Sequence, residues 1–187
     1  MRLFLSLPIP NKLIQRLVEL QSQLESSDWE LKCVAPENFH LTLHFLGETP
    51  VNILNDLHHE LSAVAHRLRP FDLACGGLGA FPSFEDPRVL WVGLQDRQGK
   101  LKGLVEATRK VLDSYRLFKL RDDFQARLTL ARVVDLKESW DPGRLARLAP
   151  QWADLGDLAV EAIRLMKSEL GQNGAGHELI EEYKLKN

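Results

Sequence analysis

The clearest pattern in the sequence is a short alternation of polar and apolar residues that occurs twice. His-Leu-Thr-Leu at 40–43 returns downstream as Arg-Leu-Thr-Leu at 127–130. Each copy lies in an apolar run of the kind that forms a β-strand, at 39–46 and at 124–134. The repeat predicts two equivalent strands, one in each half of the chain.

Alternation within these strands predicts which side chains share a face, because neighbouring residues of a strand point to opposite sides of the sheet. His40, Thr42 and His44 are predicted on one face of the first strand, and Arg127 and Thr129 on one face of the second. The opposite face of the first strand then carries the apolar side chains Leu41, Leu43 and Phe45. Two polar faces in matching positions indicate two strands that line one cleft.

Helical and strand patterns fill the rest of the chain. Apolar residues at helical spacing predict helices at 11–25, after Thr49-Pro50, at about 99–117 and near 142–148. Thr49 is predicted to cap the second of these helices, with Val51 first in its apolar stripe. Further strands are predicted at 2–7, 71–75, 89–94, 158–165 and 178–185, and a turn-rich loop between 76 and 87. This mixture predicts a duplicated α+β architecture.

The composition limits which partners the protein is expected to bind and in which cellular compartment it is expected to lie. The chain is 44% hydrophobic and 27% charged, which suits a single domain over 1–187 built as two close lobes. Its formal charge of −2, with dispersed lysines and arginines, disfavours a long duplex nucleic acid as partner. Cys33 and Cys75 lack metal-ligand spacing, so reduced thiols in a cytoplasmic protein are expected. No apolar run is long enough to span a membrane.

The repeated polar face has the chemistry to act on a phosphate. A histidine such as His40 can give or take a proton near neutral pH, and the hydroxyls of Thr42 and Thr129 can donate hydrogen bonds to phosphoryl oxygens. Arg127 stays protonated, so it can bind a phosphate but cannot serve as a general base. No Cys, Asp or Glu accompanies His40 at metal-ligand spacing, so no metal is expected.

Five blocks of the sequence, in order and spread over most of the chain, resemble the 2H phosphoesterase superfamily. The match is most similar to the RNA 2′,3′-cyclic phosphodiesterases, also called 2′-5′ RNA ligases. The blocks are 2–4, 38–48, 77–82, 87–93 and 128–133. The resemblance implies two pseudo-symmetric lobes, each an antiparallel sheet with outer helices, around a central cleft. It also implies hydrolysis of 2′,3′-cyclic phosphate ends of RNA to 2′-phosphomonoesters, without a metal or other cofactor.

The resemblance assigns roles to most of the repeated residues. His40 is implied to be the general acid that protonates the leaving ribose oxygen, and Thr42 and Thr129 are implied to hold the phosphoryl oxygens. Relatives have Pro-His where this chain has Ala126-Arg127, so the implied general base has no counterpart at that position. Hydrolysis is therefore expected to be slow.

Other residues have both a functional and a structural interpretation. Arg132, which follows the second motif, can orient a phosphate or pair with a carboxylate. Phe81 and Phe84 in the predicted loop are candidates for stacking on a nucleobase, whereas Trp91 is expected in the core. His44 can substitute for the missing base or lie at the rim of the cleft, and the rim is favoured.

Two functions remain open from the sequence. One is a slow RNA 2′,3′-cyclic phosphodiesterase; the other is a catalytically silent relative that binds phosphorylated nucleotides or RNA ends. Either function has RNA ends or small cyclic or phosphorylated nucleotides as partners, and we expect a monomer that does not engage a membrane. Residue 127 separates the two functions. His177, where relatives often carry tyrosine, is a further departure to which the sequence assigns no role.

Overall fold

The chain forms nine strands and four α-helices in the residues that the computed structural model describes, 1–25, 28–120, 124–171 and 174–186. The strands are β1 (Arg2–Pro8), β2 (Trp29–Cys33), β3 (His40–Glu48), β4 (Phe71–Pro82), β5 (Pro87–Gln95), β6 (Arg127–Leu136), β7 (Gly156–Val160), β8 (Ala162–Gly171) and β9 (Gly174–Lys184). The helices are α1 (Asn11–Leu24), α2 (Leu54–Ala65), α3 (Lys100–Ser114) and α4 (Pro142–Leu148). Short 3₁₀ turns lie at Pro36–Asn38, Val51–Ile53 and Ala149–Trp152.

The described strands form two antiparallel sheets, and each sheet contains strands from both halves of the chain. One has the order β3-β1-β8-β9 and the other the order β2-β6-β5-β4-β7. The closing strands β8 and β9 thus return to the sheet of the first motif, whereas β2, which precedes that motif, joins the sheet of the second. The predicted two-lobed α+β architecture is confirmed.

The helices pack on the sheets through apolar faces. The buried face of α1 consists mainly of leucines at helical spacing, namely Leu13, Leu17, Leu20 and Leu24. β1 is buried along most of its length because it is an inner strand, paired with β3 on one side and β8 on the other.

In the described part of the chain, no helix combines the length and apolar character needed to cross a membrane.

The glycine- and proline-rich segment 76–87 was predicted as a loop, and that prediction is wrong for most of its length. β4 continues to Pro82 and pairs with β5 as one long hairpin. Gly79 lies opposite Trp91, and a Cβ at position 79 would overlap the indole ring. The glycine allows a neighbouring side chain to approach the backbone closely. In a sequence pattern, such a glycine cannot be distinguished from a glycine in a turn.

The entry into the second helix also differs from the prediction. The hydroxyl of Thr49 donates to Gly47 O at 3.2 Å and does not cap a helix. The chain then makes the 3₁₀ turn Val51–Ile53 before α2 begins, and Val51 is 66% exposed. β2 was not predicted, because Trp29 is its single buried residue and so leaves little alternation to detect.

A buried glutamine joins α1 to the sheet of the second motif. Gln21 of α1 is 6% exposed, and its Nε2 donates to Val34 O at 2.9 Å and to Leu130 O at 2.8 Å. Val34 N also donates to Leu130 O at 2.8 Å. Val34 directly follows β2 and Leu130 belongs to β6, so this amide fixes α1 on the sheet of the second motif.

Replacing Gln21 with methionine keeps the length of the side chain and removes both donors. The free energy of unfolding is expected to fall by about 1–3 kcal/mol, the usual cost of leaving a buried carbonyl without a partner. Denaturant titration measures the change, with Gln15→Met on the exposed face of the same helix as the matched control. Equal stability of the two variants would show that the bridge does not stabilise the fold.

Candidate active site

Both motif strands carry a β-bulge at the same place. In the pairing of β3 with β1, Leu43 has no partner, and it follows Thr42 directly. In the pairing of β6 with β5, Leu130 has no partner, and it follows Thr129 directly. An extra residue in one strand interrupts the alternation and moves every later side chain to the other face. The repeat in sequence is therefore also a repeat in backbone geometry.

The bulge removes His44 from the polar face, so the prediction that it shares a face with His40 is wrong. His44 is 5% exposed and packs against α3, with Nε2 3.1 Å from Val105 O and 3.0 Å from Thr108 Oγ1. Burial lowers its pKa. His44 is a hydrogen-bonded core residue, neither a rim histidine nor a substitute base.

The same bulges bring two other residues onto the site face. Phe45, predicted on the buried face, is 65% exposed, and its ring lies 6.2 Å from that of Phe4. Arg132 is exposed on the face that also carries Arg127 and Thr129. Strict alternation would have put Phe45 and Arg132 on the opposite faces.

His40 is held between an aromatic ring and a backbone carbonyl. Its Nδ1 lies 2.7 Å from Asn38 O, which assigns the proton of the neutral imidazole to Nδ1 and leaves Nε2 free. The ring centroid is 4.9 Å from those of both Phe4 and His177. Burial, opposed by the Asn38 carbonyl and assisted by the charge of His177, lowers the pKa of His40 to about 4. The imidazole is therefore neutral at neutral pH until an anion approaches.

Arg127 rests on an indole ring. Its Cζ lies 4.3 Å from the ring centroid of Trp91, and its Nη2 donates to Gln125 Oε1 at 3.3 Å. Across the strand pair Gly93 faces Arg127, and Trp91 faces Thr129. The absent side chain at 93 lets the arginine lean along the sheet onto the tryptophan, a cation–π contact worth about 0.5–1 kcal/mol at an exposed site. Trp91 is half-buried under Arg127, so its prediction as a core residue is wrong.

A row of side chains extends the site face toward the tip of the β4–β5 hairpin. Phe81 lies opposite Val89, and Val89 lies opposite Arg132. Phe81 is 60% exposed, whereas Phe84 is half-buried and packs against the hydrophobic core. Of the two phenylalanines proposed for stacking on a base, Phe81 has the accessible ring.

The two motif strands meet although they belong to different sheets. β3 and β6 are in contact, so the strand that carries His40 and Thr42 lies beside the strand that carries Arg127 and Thr129. All four side chains are half-buried. Across the described ranges, no cluster of three or more His, Cys, Asp or Glu side chains is arranged to hold a metal ion. The roles of the four residues stay predictions.

Two neighbours of the site had no interpretable signal in the sequence. Phe4 is an apolar residue of an inner strand, and nothing in its surroundings indicates that it lies under His40. His177 lies on β9, far along the chain, and reaches His40 only because β9 closes the same sheet. The long-range pairing of strands decides both contacts.

The chain is similar to known proteins over most of its length. The family model described as LigT like Phosphoesterase matches residues 7–91. The RNA 2′,3′-cyclic phosphodiesterase of Aeropyrum pernix is 30% identical over 174 residues, which cover 92% of this chain and 96% of that protein.

Solved structures show the same fold. The crystal structure of TT0787 of Thermus thermophilus has a TM-score of 0.81 and 27% identity, covering 100% of this chain and 98% of that one. The crystal structure of E. coli LigT complexed with 3′-AMP has a TM-score of 0.77 and 21% identity, with coverage of 100% and 98%. At that identity the likeness to LigT concerns the fold.

The titration of His40 is a direct test of the site. In the free protein its imidazole is expected to titrate at a pKa of about 4, well below the ordinary 6.5, because burial disfavours the charged ring. Inorganic phosphate is expected to raise that pKa, since the anion stabilises the imidazolium. NMR titration of the ring signals measures both values, with His40→Gln used to assign the resonance. A pKa of 6.5 or higher without ligand would contradict the burial argument.

Proposed function

The chain belongs to the LigT-like phosphoesterases of the 2H phosphoesterase superfamily, and we propose that it is an RNA 2′,3′-cyclic phosphodiesterase. It hydrolyses the cyclic phosphate at an RNA end to a 2′-phosphomonoester. The observation that carries the proposal is the pair of equally bulged strands, β3 and β6, with a His-x-Thr or Arg-x-Thr face on each.

In this proposal the phosphoryl group is bound by one charged and two neutral donors. The hydroxyls of Thr42 and Thr129 donate to the non-bridging oxygens, one from each lobe. Arg127 adds charge-assisted hydrogen bonds, which are stronger than neutral ones and favour the extra negative charge of the transition state. The contact with Trp91 supports this role, because it limits the conformations of the guanidinium before the ligand arrives.

His40 is the general acid of the proposed reaction. Formation of a 2′-phosphomonoester requires that the bond from phosphorus to O3′ breaks, so O3′ must receive a proton. Nε2 of His40 is the nitrogen that can carry this proton, since Nδ1 is held by Asn38 O. The pKa of about 4 in the free protein means that the acidic form becomes scarcer as the pH rises above 4. The charge of the bound phosphodiester counteracts this by raising that pKa.

The residue at position 127 does not supply the general base of the reaction. Arg127 remains protonated and cannot take a proton from water. A positioned base typically contributes about 10²–10⁴-fold to a rate, so hydrolysis is expected to be slower than in a relative with a histidine there. Stabilisation of the transition-state charge by Arg127 offsets part of the loss.

The nucleotide beyond the cyclic phosphate is bound, in this proposal, by the row of side chains from Phe81 through Val89 to Arg132. Phe81 offers a stacking surface for a base, Phe84 supports the hairpin tip behind it, and Arg132 offers a cation for a second phosphate. A nucleotide is bound by E. coli LigT, which shares the fold. We expect the protein to act on RNA ends as a cytoplasmic monomer, without a metal or other cofactor.

The second candidate function is a silent module that binds phosphorylated nucleotides or RNA ends. Arg127 is the observation that favours it, because a permanent cation at this position improves anion binding and removes the motif base. The two functions share the ligand and differ in turnover. Product analysis therefore decides between them.

Wild-type protein incubated with an oligoribonucleotide ending in a 2′,3′-cyclic phosphate is expected to yield a 2′-phosphomonoester end. His40→Ala is expected to lower the single-turnover rate about 10²–10⁴-fold, because the general acid is lost. Chromatography and mass spectrometry identify the product, and His59→Ala on the exposed side of α2 is the matched control. Binding of the oligonucleotide without any product would favour the silent module.

Arg127→His restores the motif residue and is expected to raise the single-turnover rate, because the imidazole can accept a proton from water. Affinity for a 2′-phosphomonoester is expected to fall in the same variant, since a permanent charge is replaced by a neutral ring. Rate and affinity are measured on the same preparations, and Arg88→His, at an exposed position of β5, controls for the change of charge. A rate that drops in Arg127→His would give the arginine a larger catalytic role than phosphate binding.

A further inference from the structure

A second histidine lies next to His40, and we propose that His177 is the catalytic base that accepts a proton from the attacking water. The proposal rests on the proposed phosphodiesterase function and deepens it. Position 127 lacks a base, whereas position 177, on a strand outside both motifs, has one. The acid and the base of this enzyme would then belong to the same sheet.

The geometry of the pair carries the proposal. The imidazole centroids of His40 and His177 are 4.9 Å apart, with their planes at 87°. Phe4, which is 2% exposed, lies 4.9 Å from the first ring and 5.0 Å from the second. Both imidazoles thus pack against one buried aromatic ring, and in the proposal a phosphoryl group bound beside the pair meets one nitrogen of each ring.

The hydrogen bonding of the two rings is unequal. Nδ1 of His40 is paired with Asn38 O, whereas Nδ1 of His177 is buried without a hydrogen-bond partner among the described residues. Buried polar atoms are nearly always paired, because an unpaired one costs about 1–3 kcal/mol. No described residue ties that nitrogen in place, so rotation of the ring can turn it toward the cleft without breaking a hydrogen bond.

The surroundings of His177 favour its neutral, proton-accepting form. Burial lowers its pKa below the ordinary value. The titratable group that faces it is His40, while β1 contributes an aromatic ring and β8 contributes Ser168. Glu178, the next residue of β9, points to the opposite face by alternation and pairs with Lys167 at 3.2 Å. The charged pair on the site face, Arg164 and Glu182, lies further along β8 and β9 and is joined at 2.7 Å. Burial is therefore the cause that favours the neutral form of His177 before substrate binds.

The reaction balances with the two histidines. As the water oxygen bonds to phosphorus, His177 takes one proton from that water. The bond from phosphorus to O3′ breaks, and His40 gives O3′ its proton, so the product is a 2′-phosphomonoester. His177 then holds the proton that His40 has lost, and transfer between the neighbouring rings or through solvent restores the starting state. Arg127 keeps its proton throughout and stays on the phosphate.

His177→Phe tests the base without removing the ring that packs on Phe4. The variant is expected to keep its stability to denaturant and to lose about 10²-fold or more in kcat, with a much smaller change in KM. A role in packing alone would leave kcat unchanged, because phenylalanine preserves the aromatic contact. His59→Phe, on the exposed side of α2, is the matched control.

The pH profile distinguishes a base from a structural residue. In the wild type, kcat is expected to rise with pH as His177 loses its proton and to fall at higher pH as His40, whose pKa the bound phosphodiester raises, loses its own. The two apparent pKa values belong to the coupled pair rather than to either ring. In His177→Phe the rising limb is expected to disappear, leaving a rate that only falls as the pH rises.

A double-mutant cycle connects the two positions. If His177 is the base, Arg127→His is expected to raise the rate more in the His177→Phe background than in the wild type, because the motif histidine then replaces a missing group. Equal gains in both backgrounds would overturn the assignment. An active wild type with an unimpaired His177→Phe would overturn the inference alone, whereas a wild type without turnover would overturn the proposed function and the inference together.

Discussion

The β-bulge after the threonine of each motif is the constraint on which the site depends. A strand has a side-chain period of two, so one unpaired residue exchanges the faces of everything that follows it. Leu43 and Leu130 are those residues, and each is followed by a buried residue and then an exposed one. The bulge places Phe45 and Arg132 on the site face, and the same bulge occurs in both lobes.

Electrostatics in the cleft follow from the unequal residues that start the two motifs. His40 is desolvated, and its pKa of about 4 keeps it neutral in the free protein. Arg127 is permanently charged and lies on Trp91. A phosphate ligand is attracted by the arginine and in turn favours protonation of the histidine, so ligand binding and the acidic state of His40 are coupled. In the proposed reaction, the site thus acquires its general acid largely when an anion is bound.

Features remote from the chemistry fix each motif within its own lobe. Strands β8 and β9 return to the first sheet, which brings His177 to His40 and encloses Phe4 between them. Gln21 bridges Val34 and Leu130 through one side-chain amide. Each motif is thereby held by buried contacts within its own lobe, and the contact of β3 with β6 joins the two lobes.

The sequence by itself determined the α+β class, the two motif strands, the candidate phosphate donors and the missing motif base, because these depend on local periodicity and on residue chemistry. It could not determine which residues break the alternation, so it misplaced His44 and Phe45 on their strand. Nor could it distinguish a glycine that admits the Trp91 ring from a glycine in a turn, since both lack a Cβ. Only the tertiary structure decided that His177 lies beside His40, because strand order is set by packing among residues distant in the chain.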